Sequence, residues 1–159
     1  MGIQLNLGDH LSKVDFWFPI PPENRAAAQW ARTQARDIAS RVSGANRYFR
    51  NLPRGKSLSE LLNDSTIWVN YMNIDVPLHG QSADEAPYRE LAIGYWAFRA
   101  GKRAVLGTLI HELAHINGAP GFPSLDAELA VYYCGLGTAK ELKTGVDNPS
   151  TPYTPGHRG

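Results

Sequence analysis

The chain has 159 residues, 43% of them apolar, and sixteen Lys and Arg against fifteen Asp and Glu leave a net charge of +1. That length suits one domain with a core large enough to fold without disulfides or a structural metal. The near-neutral balance supplies no field to draw DNA, RNA or an acidic lipid surface, so neither nucleic acid nor membrane is expected as a partner.

In chain order, residues 1–10 lack a basic stretch followed by an apolar one, so no Sec signal is expected there and any export would follow another route. No apolar run reaches the roughly 18 residues of a membrane-spanning helix. Ile3, Leu5 and Leu7 alternate with polar residues and predict a short strand. Residues 14–20 read as an extended edge piece that stops at Pro21-Pro22. Residues 23–42 predict a long helix rich in Ala, Arg and Gln, with Trp30, Ile38 and Val42 on one face and a stop at Gly44. Residues 47–56 mix Arg47, Arg50, Arg54 and Lys56 with Tyr48 and Phe49 and read as a solvated loop. Ser57 is placed to cap a short helix over 57–63.

Residues 66–74, Thr-Ile-Trp-Val-Asn-Tyr-Met-Asn-Ile, are rich in β-branched and aromatic side chains and predict a strand. A polar loop is expected over 75–88, then a second strand over 90–95. Gly101 separates it from a helix over 102–117, ended by Gly118. Ser124 precedes a further helix, residues 125–136, on which the lone Cys134 reads as a small buried apolar residue. Residues 137–159 read as an extended tail of a single domain spanning 1–159. The expected fold is α+β: a small sheet packed on the long first helix and on the helix of residues 102–117.

That last helix carries His111-Glu112-Leu113-Ala114-His115. Histidines four apart on a helix share a face one turn apart, where both imidazoles reach one ion. Imidazole nitrogen is a favoured zinc ligand, and a catalytic zinc takes three protein ligands with one position left open. Glu112 lies beside this pair, where a carboxylate acts as general base on a water that the metal acidifies. The surrounding Ala104, Val105, Leu106, Leu109, Ile110, Leu113, Ala114 and Ile116 make the helix apolar, as an internal active-site helix requires. A continuation of the form HExxHxxGxxH is excluded, because Gly118 matches its glycine but Gly121 stands where a third histidine is needed. The nearby carboxylates are Asp126 and Glu128. An acid at Asp126 is favoured by the helix dipole alone. Glu128 sits among Ala127, Leu129, Ala130 and Val131 without that reason and is preferred as third ligand, with Asp126 as the alternative or as a partner orienting a ligand.

His-Glu-Leu-Ala-His with a later helical Glu resembles the gluzincin branch of the zincin metallopeptidases. The run from Thr108 to Gly121, followed by Asp126-Ala-Glu128, is similar to small bacterial metallopeptidase domains attached to secreted or contact-dependent toxin systems, and the likeness covers about residues 90–135. It implies one catalytic zinc held by His111, His115 and Glu128, with Glu112 as base. It implies a protein or peptide substrate, and an effector setting would add a cognate immunity or inhibitor protein. It also implies that the strand before the motif helix, with Ile93, Gly94 and Tyr95, lines the cleft as an edge strand that pairs with extended substrate. The spacing from His115 to Glu128 is shorter than in familiar gluzincins.

Peptide hydrolysis further needs a donor for the developing oxyanion. Tyr132, one turn beyond Glu128, is the first candidate; Tyr133, Tyr95, His79 and His157 are the others, with both histidines read as surface residues. Two other functions use the same residues: a zinc amidase acting on a non-peptide substrate, and a binding module that keeps the fold without catalysis. The intact Glu112 argues against the second.

Overall fold

The β-branched and aromatic run that begins at Ile67 lies at the centre of the molecule. A computed structural model of the chain describes residues 2–74, 79–85, 88–121 and 123–137. Its strands are β1 (Gln4–Leu5), β2 (Trp17–Phe18), β3 (Ile67–Met72), β4 (Gly80–Glu85) and β5 (Tyr88–Gly94). They form one mixed sheet in the order β1-β3-β5-β4, with β2 antiparallel to the far end of β3. β3 is parallel to β1 and to β5, and β4 is antiparallel to β5. The helices are α1 (Arg25–Arg41), preceded by a 3-10 turn over Pro22–Asn24, then α2 (Ser43–Arg50), α3 (Leu58–Leu62), α4 (Tyr95–Ala100), α5 (Lys102–Ile116) and α6 (Asp126–Tyr133). The class is α+β.

Strand alternation gives the sheet two different faces. Ile67, Val69, Tyr71, Leu91 and Ile93 face the helices and join the main core with the Ala-rich stripe of α1 (Ala28, Ala31, Ala35, Ala39) and the apolar body of α5. Met72 and Ala92 point the other way, where Trp17 and the N-terminal arm cover them. That second face also holds a buried polar network. Glu90 accepts from Asn70 Nδ2 at 3.1 Å and Ser12 Oγ at 3.2 Å, and its other contact is His10 Nε2 at 2.6 Å. Asn70 Oδ1 accepts from Asn6 Nδ2 at 2.8 Å. Asn6 and Asn70 are fully buried, and their side chains find partners within this network, as buried polar groups must.

Local signals hold where the physics is local. Ser57 caps α3 in a full capping box with Glu60. Gly118, at φ +94°, closes α5 in a Schellman turn: Ala119 N–H donates to Ala114 O and Gly118 N–H to His115 O, both at 2.9 Å.

Four expectations are corrected. The first helix ends at extended Val42, not at Gly44, which lies inside α2. The first four residues of the expected loop over 47–56 belong to that helix, because Ala45 and Phe49, four apart, both bury. The expected loop over 75–88 contains β4; its Gly-Gln-Ser-Ala-Asp-Glu is poor in strand formers, and pairing with β5 along its whole length overrides the weak propensity. Finally, β5 is an inner strand and β4 is the edge. Of the expected tail, residues 138–159 lie outside the described residues. No helix among the described residues is long and apolar enough to cross a membrane.

Candidate metal centre

α5 is buried continuously from Ala104 to Ala114, which an all-round apolar helix demands. It delivers His111 and His115 one turn apart with ring centroids 4.8 Å apart. His111 is buried and His115 half-buried.

The Schellman turn has a direct consequence for His115. By reversing the chain at Gly118 it brings the Ala119 carbonyl to 2.8 Å from His115 Nδ1. A carbonyl only accepts, so Nδ1 carries the proton and Nε2 keeps its lone pair, the arrangement that prepares a histidine for a metal. His111 lies between two carboxylates, with Nδ1 3.3 Å from Glu112 Oε2 and Nε2 3.3 Å from Glu128 Oε1. Burial disfavours its charged form, but bonding and charge from Glu112 and Glu128 outweigh this and raise the imidazole to about 9. Burial likewise opposes ionisation of Glu128, and His111 on one side overcomes it and holds the carboxyl below its ordinary value.

A metal fits these residues on three observations. Charge-assisted hydrogen bonds close to about 2.7–2.9 Å. The 3.3 Å between His111 Nε2 and Glu128 Oε1 is longer. It is the separation of two ligand atoms each about 2.0–2.1 Å from a tetrahedral centre, roughly 3.3 Å. Second, Glu112 is fully buried and its Oε1 has no hydrogen-bond partner among the described residues, an uncommon state for a buried carboxylate oxygen. Third, one ligand atom from each of His111, Glu112 and His115 lies within 4.8 Å of the others. Glu128 is outside that trio and its side chain bonds His111, so two carboxylates approach His111 from opposite sides.

The other sequence candidates are placed differently. The half-buried Asp126 joins the neighbourhood through its backbone: its N–H donates to Ser124 Oγ at 3.1 Å and its carbonyl accepts from Tyr48 Oη at 2.8 Å. Tyr132 packs edge-on against Tyr133 at 5.3 Å, and no contact among the described residues links it to either histidine. Tyr133 stacks on Tyr48 and is largely exposed. Ile93 is buried and paired to Tyr71 on one side and Gly80 on the other. Gly94 is buried too, and its N–H donates to His79 O at 2.6 Å. Tyr95 opens α4 and meets Trp96 edge-on. None of these three offers an open strand edge, because β4 covers β5. His157 lies outside the described residues.

β4 and the residue before it supply what sequence reading placed elsewhere. Gly80 lies against the motif helix so closely that a Cβ there would meet Thr108 Cγ2 at 2.6 Å and Glu112 Cγ at 3.1 Å. His79, expected at the surface, is half-buried; burial and then the charge of His111 lower its imidazole. The sequence signal for this strand was the Gly itself, at a place where only hydrogen fits between strand and helix.

Compared with protein-family models, with curated proteins and with solved structures, the chain matches none.

Proposed function

We propose that this chain is a zinc-dependent metallopeptidase of the zincin kind. The observation that carries the reading is the pairing of His111 and His115 on one buried helix turn with Glu128 of the next helix 3.3 Å from His111 Nε2. His111, His115 and Glu128 would hold the ion. When bound, zinc supplies Lewis acidity, which acidifies water and polarises a carbonyl.

The chain's own groups do the rest. Glu112 Oε1, buried and without a hydrogen-bond partner among the described residues, is the acceptor for a proton from water and then the donor to a leaving amine. Of the two carboxylates, Glu112 takes the base role because it follows a ligand directly on the same helix; Glu128 faces the opposite ring nitrogen from a separate helix. The outer side of β4 is a sheet edge beside the motif helix, and an extended peptide added there would lie along the site. His79, the residue before this strand, lies within the electrostatic reach of His111 and joins Tyr132 as a candidate donor to a developing oxyanion. Peptide or protein is therefore the proposed substrate class. An effector role with an inhibitor protein is the setting that the resemblance suggests.

Metal analysis and a peptide-library cleavage assay test this. The wild type should retain about one equivalent of zinc, and His111→Ala, His115→Ala and Glu128→Gln should lose it, while Asp126→Asn keeps it. Glu112→Gln should keep the ion and lose hydrolysis by a factor of about 10²–10⁴. A wild type that takes up no zinc sinks the proposal. Metal loss in Glu112→Gln with retention in Glu128→Gln would exchange the two carboxylate roles.

A further inference from the structure

α6, which carries Glu128, is eight residues long and has no side-chain cap at its N-terminal boundary residue. A helix that short is marginal in water, so its position comes from what it packs against. Tyr48 of α2 holds it at both ends. Its hydroxyl donates to the carbonyl of Asp126, the first residue of α6, at 2.8 Å. Its ring stacks on Tyr133, the last, with centroids 4.9 Å apart and planes at 20°.

Tyr48 is itself anchored to the motif helix. Phe49 is fully buried, and its carbonyl accepts from Asn117 Nδ2 at 2.8 Å. The same amide donates to Lys56 O at 2.8 Å, Asn117 Oδ1 accepts from Lys56 N–H at 3.2 Å, and the Asn117 carbonyl accepts from Arg54 N–H at 3.1 Å. Asn117 is fully buried and caps α5 two residues after His115. Residues 48–56 thus bracket the ends of both helices that bear the candidate ligands. Burial, then the charges of Asp126, Tyr133 and Glu128, keep the Tyr48 phenol well above its ordinary value, so it remains a donor.

We infer that Tyr48 is a positioning residue for Glu128: its hydroxyl and ring set where α6 lies along α5, and with it the approach of Glu128 to His111. This rests on the metal reading above. No hydrogen bond or ring contact among the described residues joins Tyr48 to either histidine, so it acts through α6.

Tyr48→Phe tests it, because the ring and its stacking stay while the hydroxyl goes. Zinc dissociation constants are measured on the full chain by competition with a chromophoric chelator, alongside thermal melting of the metal-free protein and the visible spectrum of the cobalt-loaded form. Met72→Ala, which opens a cavity under the opposite face of the sheet, serves as a control that lowers stability away from the site. Tyr48→Phe should weaken zinc binding about 3- to 10-fold, the order that one hydrogen bond is worth, and alter the cobalt spectrum. Met72→Ala should leave the dissociation constant within about twofold while lowering the melting temperature more. Zinc binding by Tyr48→Phe within twofold of wild type, or an equal loss in Met72→Ala, overturns the role of Tyr48 alone. A wild type that binds no zinc overturns the metal reading and this inference with it.

Discussion

Gly80→Ala is the most direct probe of how β4 is seated on the motif helix. A methyl at this position would stand 2.6 Å from Thr108 Cγ2, 2.9 Å from Ala92 O and 3.1 Å from Glu112 Cγ. None of the three yields easily. Thr108 is buried and its rotamer is fixed by the bond from Oγ1 to Ala104 O at 2.8 Å. Ala92 O is backbone of the paired strand. Glu112 Cγ belongs to a fully buried side chain. Overpacking of this kind costs about 1–3 kcal/mol. Against it, replacing Gly with Ala removes unfolded-state freedom worth about 0.4–1 kcal/mol. The clash wins, and the net loss is on the order of 1–2 kcal/mol, which in a chain of this size lowers the melting temperature by roughly 2–8 °C. Thr108→Ser keeps the hydroxyl and removes the nearest clashing atom. Alone it should cost about 0.5–1.5 kcal/mol, as loss of one buried methyl does. Combined with Gly80→Ala it should recover part of the loss and not all, since the Ala92 carbonyl remains. Urea denaturation of the four proteins closes the cycle, and a favourable coupling of about 1 kcal/mol is expected. Additivity of the two substitutions, or a Gly80→Ala protein as stable as wild type, would refute the seating of β4 on α5.

Asn117→Ala leaves Phe49 O, Lys56 O and Lys56 N–H without their side-chain partner. With each buried orphan worth about 1–3 kcal/mol and some reached by water, a loss of about 2–4 kcal/mol in chemical denaturation is expected; a loss below about 1 kcal/mol would remove Asn117 as the anchor of residues 48–56. Cys134 is buried, and burial pushes its thiol up to about 12. The native protein should therefore resist alkylation at pH 8 and be labelled fully in denaturant, by mass spectrometry; rapid native labelling would mean that the end of α6 opens readily.

What was legible in the sequence was what neighbouring residues decide among themselves. The all-apolar surround of His111 and His115 required a buried helix, Gly118 marked its end, and Ser57 marked the start of α3; each rests on residues a few positions apart. The Schellman turn at Gly118 was readable as a stop, but its second effect, placing Ala119 O on His115 Nδ1, belongs to three-dimensional closure of the turn. Glu128 was singled out among two carboxylates by its apolar neighbours, and it is the one whose side chain meets His111. What was not legible depends on partners distant in the chain. β4 has almost no strand-forming side chains, and it is a strand because the inner strand β5 offers a full ladder to pair with. Once β4 takes the edge, the free edge of the sheet lies on the outer side of residues 80–85 and not at Ile93 and Gly94, and His79 is carried inward with it. Tyr48 lies 78 residues from the carbonyl it bonds, and Asn117 lies 61 residues from Lys56. A hydrogen bond of that span leaves no periodicity to read, and an arginine-rich neighbourhood masks the aromatic anchors Tyr48 and Phe49 as surface. The candidate site is accordingly built on two scales: a helix that holds His111, Glu112 and His115 within five consecutive residues, and a bracket over residues 48–56 that meets the helix carrying Glu128 at both its ends.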